Sequence, residues 1–391
     1  MRRYNGRSIQ RQRFVRVLIL FATALIFTSG SAENSEQDEA FVEAWQAYSD
    51  AVESGRASRI LKTSQAVAEI AEQVFTETDP RLAKILQNYG VALRRGKKQG
   101  EAREVLGRSL QLMEDIHGRD SIELVPVIAD LADAHSRVGS SDRQLDHYRR
   151  AMRIVGRQQS KQSLEYADIA FRAATSTFNF SRSLAGRRYL RDAQEIYQAR
   201  LDAGDQKLGL TSLFLGKMAF ADRSSKKAAA HLEEALTSFG GQSDRARQLR
   251  LSTHALLVQI YETRGDSDLA TEHSIAIGRD TPADSDQDYL PIFRPRPNYP
   301  KVMRQRRIEG FVDIEFTVNE SGFTENARVI RAVTSDPQRA EKALASDDVN
   351  ESFSVAALLA VKRFRYAPRF ENGVAMPVEN VKARVSFKLV K

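Results

Sequence analysis

Six histidines are the side chains in this 391-residue chain best suited to proton transfer or metal ligation: His117, His135, His147, His231, His254 and His273. None follows another at the i, i+4 spacing that sets two imidazoles on one helix face, and no His-Glu-x-x-His run occurs. They read as surface or groove residues of helices. Cysteine is absent, which excludes disulfides, thiolate metal sites and thiol nucleophiles. Gly240-Gly241 has no lysine–serine pair after it, as a phosphate-cradling loop would, and falls in a turn between helices. Ser321-Gly322 sits in a hairpin turn, not on the strand-to-helix elbow that a nucleophilic serine needs. Asp313 and Glu315 alternate along a strand and read as solvent-facing charge. No catalytic residue, metal or cofactor is expected; the chain reads as a binding protein.

The elements behind these residues are first helical. From about Phe41 to Gly278 proline is scarce and apolar residues fall at helical spacing, as at Leu82, Leu86, Tyr89 and Leu93. Small or apolar residues recur every 42 positions, at Tyr48, Gly90, Ala132, Ala174, Gly216 and Val258. A second set lies 19 residues later, at Val67, Ser109, Ala151, Ala193, Ala235 and Ile277. Turns fall between the sets near Gly55, Gly96, Gly139, Ser181, Arg223 and Gly265. Two antiparallel helices approach closely only where side chains are small, so the pattern predicts about six helix–turn–helix repeats over residues 33–279. The array resembles tetratricopeptide repeats, most clearly at Leu257-Val258, Tyr261, Gly265 and Ala270. That family repeats at about 34 residues; the longer period adds roughly one turn per helix. An irregular helical bundle is the alternative.

The first 32 residues carry six arginines and no acid, then an apolar run of 11 (Val17–Phe27), then Gly30-Ser31-Ala32. This reads as a cleaved signal peptide, since a membrane span needs about 20 apolar residues. The alternative is an uncleaved anchor associated with the inner membrane. The net charge of +8 is largely made there: without those six, 53 basic groups face 51 acidic ones. The mature chain is nearly neutral and no nucleic-acid partner is expected.

Asp280–Asp288 is polar and unpatterned, and residues 280–290 are read as a linker, so that residues 33–280 are expected to fold as a helical unit without the C-terminal domain. Beyond it the period changes from 3.6 to 2. Val312, Ile314, Phe316 and Val318 alternate with Asp313, Glu315 and Thr317; Asn319–Gly322 supplies a turn, and Phe323–Val333 a second strand. A helix is expected from about Phe353 to Phe364, with Val355, Leu358, Leu359 and Val361 as its apolar stripe. After Asn372-Gly373 a third strand covers about Pro377–Leu389. Ser335–Ser352 is a long insertion, with Asp336-Pro337 as a helix start. Residues 287–391 hold 18 basic and 13 acidic groups. Arg304, Arg306, Arg307, Lys362, Arg363 and Arg365 are candidates for an acidic peptide, a lipid surface or a cell-wall polymer, or else simply a solvated face. Phe364 and Tyr366 either stack on a ligand or pack the helix onto the sheet.

These residues carry a resemblance. Arg296-Pro-Asn-Tyr-Pro300, Glu309-Gly310 opening the first strand, Gly322, Ser354–Ala360, Phe364-Arg-Tyr-x-Pro368 and Asn372-Gly373 follow in order. Over residues 291–391 the sequence resembles the C-terminal domain of the TonB energy transducers. The whole is thus expected to be multidomain: an all-α tetratricopeptide-like superhelical array followed by a small α+β domain with a three-stranded antiparallel sheet.

The resemblance implies a module that takes an extended peptide of an outer-membrane transporter, or another envelope protein, onto its sheet edge in the periplasm. On this chain the implied peptide-binding residues are Asn298, Tyr299 and Pro300, with Lys382, Ala383, Arg384, Val385, Ser386 and Phe387 on the third strand. A second, unidentified protein is expected at the helical repeats. Two alternatives remain: a membrane-anchored energy transducer, or a scaffold whose C-terminal domain self-associates. The family's proline-rich spacer is replaced here by the repeats, and the oligomeric state is open.

Overall fold

The computed structural model describes residues 32–136, 141–176, 183–281, 289–335 and 347–389. The expected signal peptide, Gly139, Ser181, most of the linker and the Asp336-Pro337 helix start lie outside the described residues. The chain divides into two compact units, Met1–Arg200 and Leu201–Lys391.

The first unit holds four helical hairpins. Their helices are α1 (Ala32–Ser54) with α2 (Ala57–Val74), α3 (Pro80–Arg95) with α4 (Gln99–His117), α5 (Val125–Ala134) with α6 (Ser141–Gln158), and α7 (Leu164–Ser176) with α8 (Leu184–Arg200). Helix α3 shows how local chemistry sets an end. Pro80 stands in the first turn, where its missing N–H costs nothing, and the Asp79 carboxylate accepts from the Arg81 amide. The recurrent small residues set the inter-helix distance. A Cβ on Gly90 would lie 2.5 Å from Leu106 Cγ, so only glycine lets α4 come this close. Both 42-residue sets are buried throughout, from Tyr48 to Val258 and from Val67 to Ile277. Between α3, α5 and α7 runs a polar ladder of the same period. Gln87 Nε2 donates to Asp130 at 2.7 Å, and the Arg172 guanidinium reaches Asp130 at 2.6 Å and Asp133 at 2.7 Å. Tyr148 donates to Asp133. Burial first, then the Asp133 charge, push its hydroxyl up.

The second unit combines two more hairpins with the C-terminal domain. Helix α9 (Gln206–Ala221) pairs with α10 (Ser225–Thr237), and α11 (Asp244–Arg264) with α12 (Ser267–Asp280). A short α13 (Lys301–Gln305) leads to β1 (Glu309–Val318), β2 (Thr324–Ser335), α14 (Asp347–Val361), β3 (Arg369–Glu371), β4 (Val374–Met376) and β5 (Val378–Phe387). The antiparallel sheet runs β2-β1-β5, with Asp313 opposite Arg384 and Val312 opposite Val385. Val312, Ile314, Phe316 and Val318 enter the core with Phe353, Val361, Phe364, Tyr366, Val385 and Phe387. The first turn is built by Asn319, whose Oδ1 accepts from the Ser321 and Phe323 amides. Gly322 follows at φ +82°, where a Cβ would strike the Tyr366 carbonyl.

Three sequence expectations shift. Helix α14 starts six residues before Phe353 and ends at Val361. Phe364 leaves the helix because Arg365 turns to bridge Phe293 and Phe323. Asn372-Gly373 closes a small hairpin of its own, β3–β4, both residues at positive φ as a two-residue turn of that hand requires. The apolar stripe of α14 also divides. Val361 is buried and Leu358 packs against the core, while Val355 and Leu359 face outward.

The last hairpin does not stop at the linker. Ile292, Phe293 and Ala367 pack against the cluster of Leu257, Val258, Ile260 and Tyr261. Arg365, only 4% exposed, pairs with Glu262 on α11, and its guanidinium lies 3.3 Å from the Phe323 ring centroid. Gly278 on α12 faces the Pro368 carbonyl and the Phe370 ring with no room for a side chain. Glu262→Leu alone therefore strands a buried cation and should lower stability by about 3–5 kcal/mol in denaturant titrations of the full chain. Adding Arg365→Met should recover most of that loss; a double variant as unstable as the single one would show that the charge pair is not what the joint depends on.

Candidate peptide-binding site

Strand β5 presents two faces. Val385 and Phe387 point into the core, and Ala383 packs at its border. Lys382, Arg384 and Ser386 occupy the other face. The charges there are not free. Arg384 Nε and Nη2 meet the Asp313 carboxylate at 2.7 and 3.0 Å, and the guanidinium stands 3.9 Å from the centroid of the Phe311 ring. Lys382 Nζ lies 3.9 Å from Glu315, which Arg328 also grips. The Arg384 hydrogen bond holds the Asp313 carboxyl below its ordinary range, and Asp313 raises Arg384 in return. Acids first read as dressing thus hold the cations of the edge strand against the sheet.

The strand's backbone is the exposed feature. β5 has β1 on one side and, among the described residues, no strand on the other. A residue with positive φ, Asn380, accompanies a break in register between Phe316 and Val318, as in the bulges that protect edge strands. The Arg384 carbonyl accepts from the Arg294 guanidinium. Arg294 itself covers the Phe364 ring, 5.4 Å from its centroid.

Asn298, Tyr299 and Pro300 sit elsewhere. They line one wall of a groove whose other wall is α14. Tyr299 donates its hydroxyl to the Ile308 carbonyl, and its ring meets Phe353 and Phe387 edge-on, each at 5.7 Å. Burial first, then Glu309, raise its hydroxyl pKa. Of the two groups of expected residues, only the Tyr299–Phe387 contact joins groove to edge strand. Arg365 is removed from the list of ligand-facing cations by its burial against Glu262, and Phe364 and Tyr366, each 1% exposed, are core.

The histidines hold one surprise. His254 Nδ1 and His273 Nδ1 are 2.9 Å apart, and His273 Nε2 lies 2.9 Å from Glu233, which also accepts from Tyr261 at 3.1 Å. Searching neighbours along one helix misses this pair. The separation is 19 residues, the same offset that relates the two buried sets, so the repeat pattern already placed them face to face. Among the described residues no group of three or more His, Asp or Glu side chains could hold a metal. Arg294 also escaped the sequence reading, for no local pattern marks it.

A helical-repeat array joined to a small α+β domain with an open sheet edge is a protein-interaction architecture. Residues 295–389 match the family described as Gram-negative bacterial TonB protein C-terminal, and this part of the chain is a TonB C-terminal domain. No curated protein matches the chain by sequence. Among solved structures, the apo form of RapI is similar at TM-score 0.50 and 13% identity, covering 71% of this chain and 73% of its own. BtubC (BKLC) from P. vanneervenii is similar at 0.47 and 16%, covering 70% of this chain and 100% of its own. The PilF protein of Pseudomonas aeruginosa is similar at 0.38 and 13%, covering 62% and 93%. At 13% identity the likeness to RapI concerns the fold alone.

Burial first, then the adjacent His273, lower the pKa of His254 to about 4; Glu233 and Asp280 oppose this, and Arg250 adds to it. The folded state therefore prefers neutral His254, whereas the unfolded chain protonates it near the ordinary value of 6.5. The resulting stability is complete above 6.5 and is lost as pH falls towards 4. His254→Gln should remove on the order of 1–3 kcal/mol of that pH dependence. The check is the difference between parent and variant in urea midpoints at neutral pH and near pH 4.5; no difference in slope would rule the depressed histidine out.

Proposed function

We propose that the protein is an envelope adaptor that captures an extended peptide of an outer-membrane transporter, or another envelope protein, by strand addition along β5. The helical repeats then form a second protein-binding surface. The observation that supports this reading is the position of β5 as the outermost strand, partnered among the described residues only by β1. In strand addition main-chain hydrogen bonds give affinity and alternate side chains give selectivity. With Lys382 and Arg384 held by Glu315 and Asp313, the charges offered to a peptide on that face are balanced ones. The TonB family match supports an envelope location, and the short apolar run before Ala32 supports export with cleavage. Among the described residues no helix is long and apolar enough to cross a membrane. Intact mass of protein recovered from an envelope fraction should show a chain beginning at Glu33; retention of residues 1–32 would favour an anchored protein.

The strand-addition test uses proline, which removes one N–H. A residue of an antiparallel strand turns its N–H and C=O to the same side. The Arg384 carbonyl engages Arg294, outside the ladder with β1, so the Arg384 amide is assigned to the open side and the Val385 amide to β1. Arg384→Pro should leave the domain folded and weaken a transporter-derived peptide by about 1–3 kcal/mol. Val385→Pro should unfold it. Circular dichroism and peptide titration on the full chain separate the two, and two folded, fully binding variants would end the edge-pairing account.

A further inference from the structure

We propose that the groove between Pro295–Pro300 and α14 is a second docking surface, separate from the β5 edge, for an apolar peptide segment of a partner protein that carries acidic residues at one end. The groove has a volume of about 810 Å³ and is partly open to solvent. Its α14 wall is apolar where a surface helix is normally polar: Val355 and Leu359, one turn apart, are 51% and 59% exposed. Ala356 and Ala360 lie beside them, and their small side chains leave the trough deep. The facing wall is Tyr299, held rigidly by its hydroxyl bond to Ile308 and by the Phe353 and Phe387 rings.

Charge completes the description of the occupant. Arg296 and Arg363 line the groove, both are exposed, and among the described residues neither is in an ion pair. Glu351 lies towards the other end of the α14 wall, ten helical residues before Val361, or roughly 15 Å at the α-helical rise, with Arg363 two residues beyond. Phe293 bridges to Arg365 while the Tyr299 ring meets Phe353, so the 293–299 segment runs antiparallel to α14 and sets Arg296 towards the Arg363 end. Such a groove is complementary to a segment whose carboxylates meet the arginines and whose aliphatic side chains cover Val355 and Leu359. That span suits an extended stretch of about five or six residues. An open trough of this kind would leave much of a small ligand wet, which argues against a metabolite.

The probe is a fluorescein-labelled peptide, Asp-Asp-Leu-Val-Leu-Leu, titrated by anisotropy into the full chain. Leu359→Glu and Val355→Glu alter exposed positions, so both should keep the parent melting temperature while weakening the peptide by about tenfold or more. Arg296→Glu with Arg363→Glu should weaken it and flatten its salt dependence. Arg384→Pro should leave it unchanged, which separates this groove from the edge. The proposal fails if the peptide does not bind, if Leu359→Glu binds as well as the parent, or if a Lys-Lys-Leu-Val-Leu-Leu peptide binds equally. Vesicles containing phosphatidylglycerol serve as the second arm; retention on them that Leu359→Glu abolishes, without peptide binding, would assign the groove to a membrane surface instead.

Discussion

A guanidinium buried to 4% exposure must be paired, and Arg365 is paired with a carboxylate 103 residues earlier in the chain. Removing either charge leaves the other in a low-dielectric site at a cost of several kcal/mol. The backbone of Arg365 is committed as well. Its carbonyl accepts from the Ile292 amide at 2.7 Å, and its amide donates to the Phe293 carbonyl at 3.0 Å. The residue thus fixes three segments at once: helix α11, the strand-like entry at 292–293, and the exit from α14. The close approach of Gly278 to Pro368 and the packing of Phe293 beneath α11 are consequences of that junction. Residues of the C-terminal domain thus complete the core of the last repeat.

A second constraint acts within the sheet. Strand β1 is central, so its outward acids face cations on both neighbours: Arg328 on β2, Lys382 and Arg384 on β5. Such exposed pairs add little stability each. Their effect is on the charge of the edge. A strand bearing Lys382 and Arg384 would be basic by composition, yet Asp313 and Glu315 balance it where it stands. What the edge retains is its unpaired main chain, together with the Arg294 side chain that any added strand would have to displace from the Arg384 carbonyl.

The parts of this organisation that were legible in the sequence are those written in local periods. The 42-residue recurrence and the β1 alternation follow from burial on one face, and burial is repeated at each turn or every second residue. The β5 edge was legible only through the family resemblance. Arg365 was misread because a charged side chain beside Arg363 looks like more of the same basic patch; its partner Glu262 lies in another element, and no local pattern joins them. Val355 and Leu359 were assigned to the core stripe because α14 is apolar on more than one face. Counting positions shows the difference: Phe353, Ala357 and Val361 repeat at four residues and are buried, whereas Val355 and Leu359 repeat at four residues on the far side.

Once the paired cations are set aside, the C-terminal domain still carries exposed positive charge on several elements. Arg365 is neutralised in the interior, and Arg328, Lys382 and Arg384 by β1. Among the other exposed cations, Arg304, Arg306 and Arg307 lie at the end of α13 and Lys362 and Arg363 just past α14, with Arg294, Arg296, Lys301, Arg331 and Lys388 exposed elsewhere. Those at the end of α14 also sit where the helix dipole is negative, which favours them there. Exposed charge of one sign contributes more to the rate and orientation of encounter than to final affinity. Affinity must come from surfaces that exclude water, and the two proposed for this domain are the main-chain edge of β5 and the apolar trough beside Tyr299. The two meet at the Tyr299–Phe387 ring contact, so a single tyrosine, anchored to the start of β1 by its hydroxyl, shapes one surface and supports the strand that forms the other.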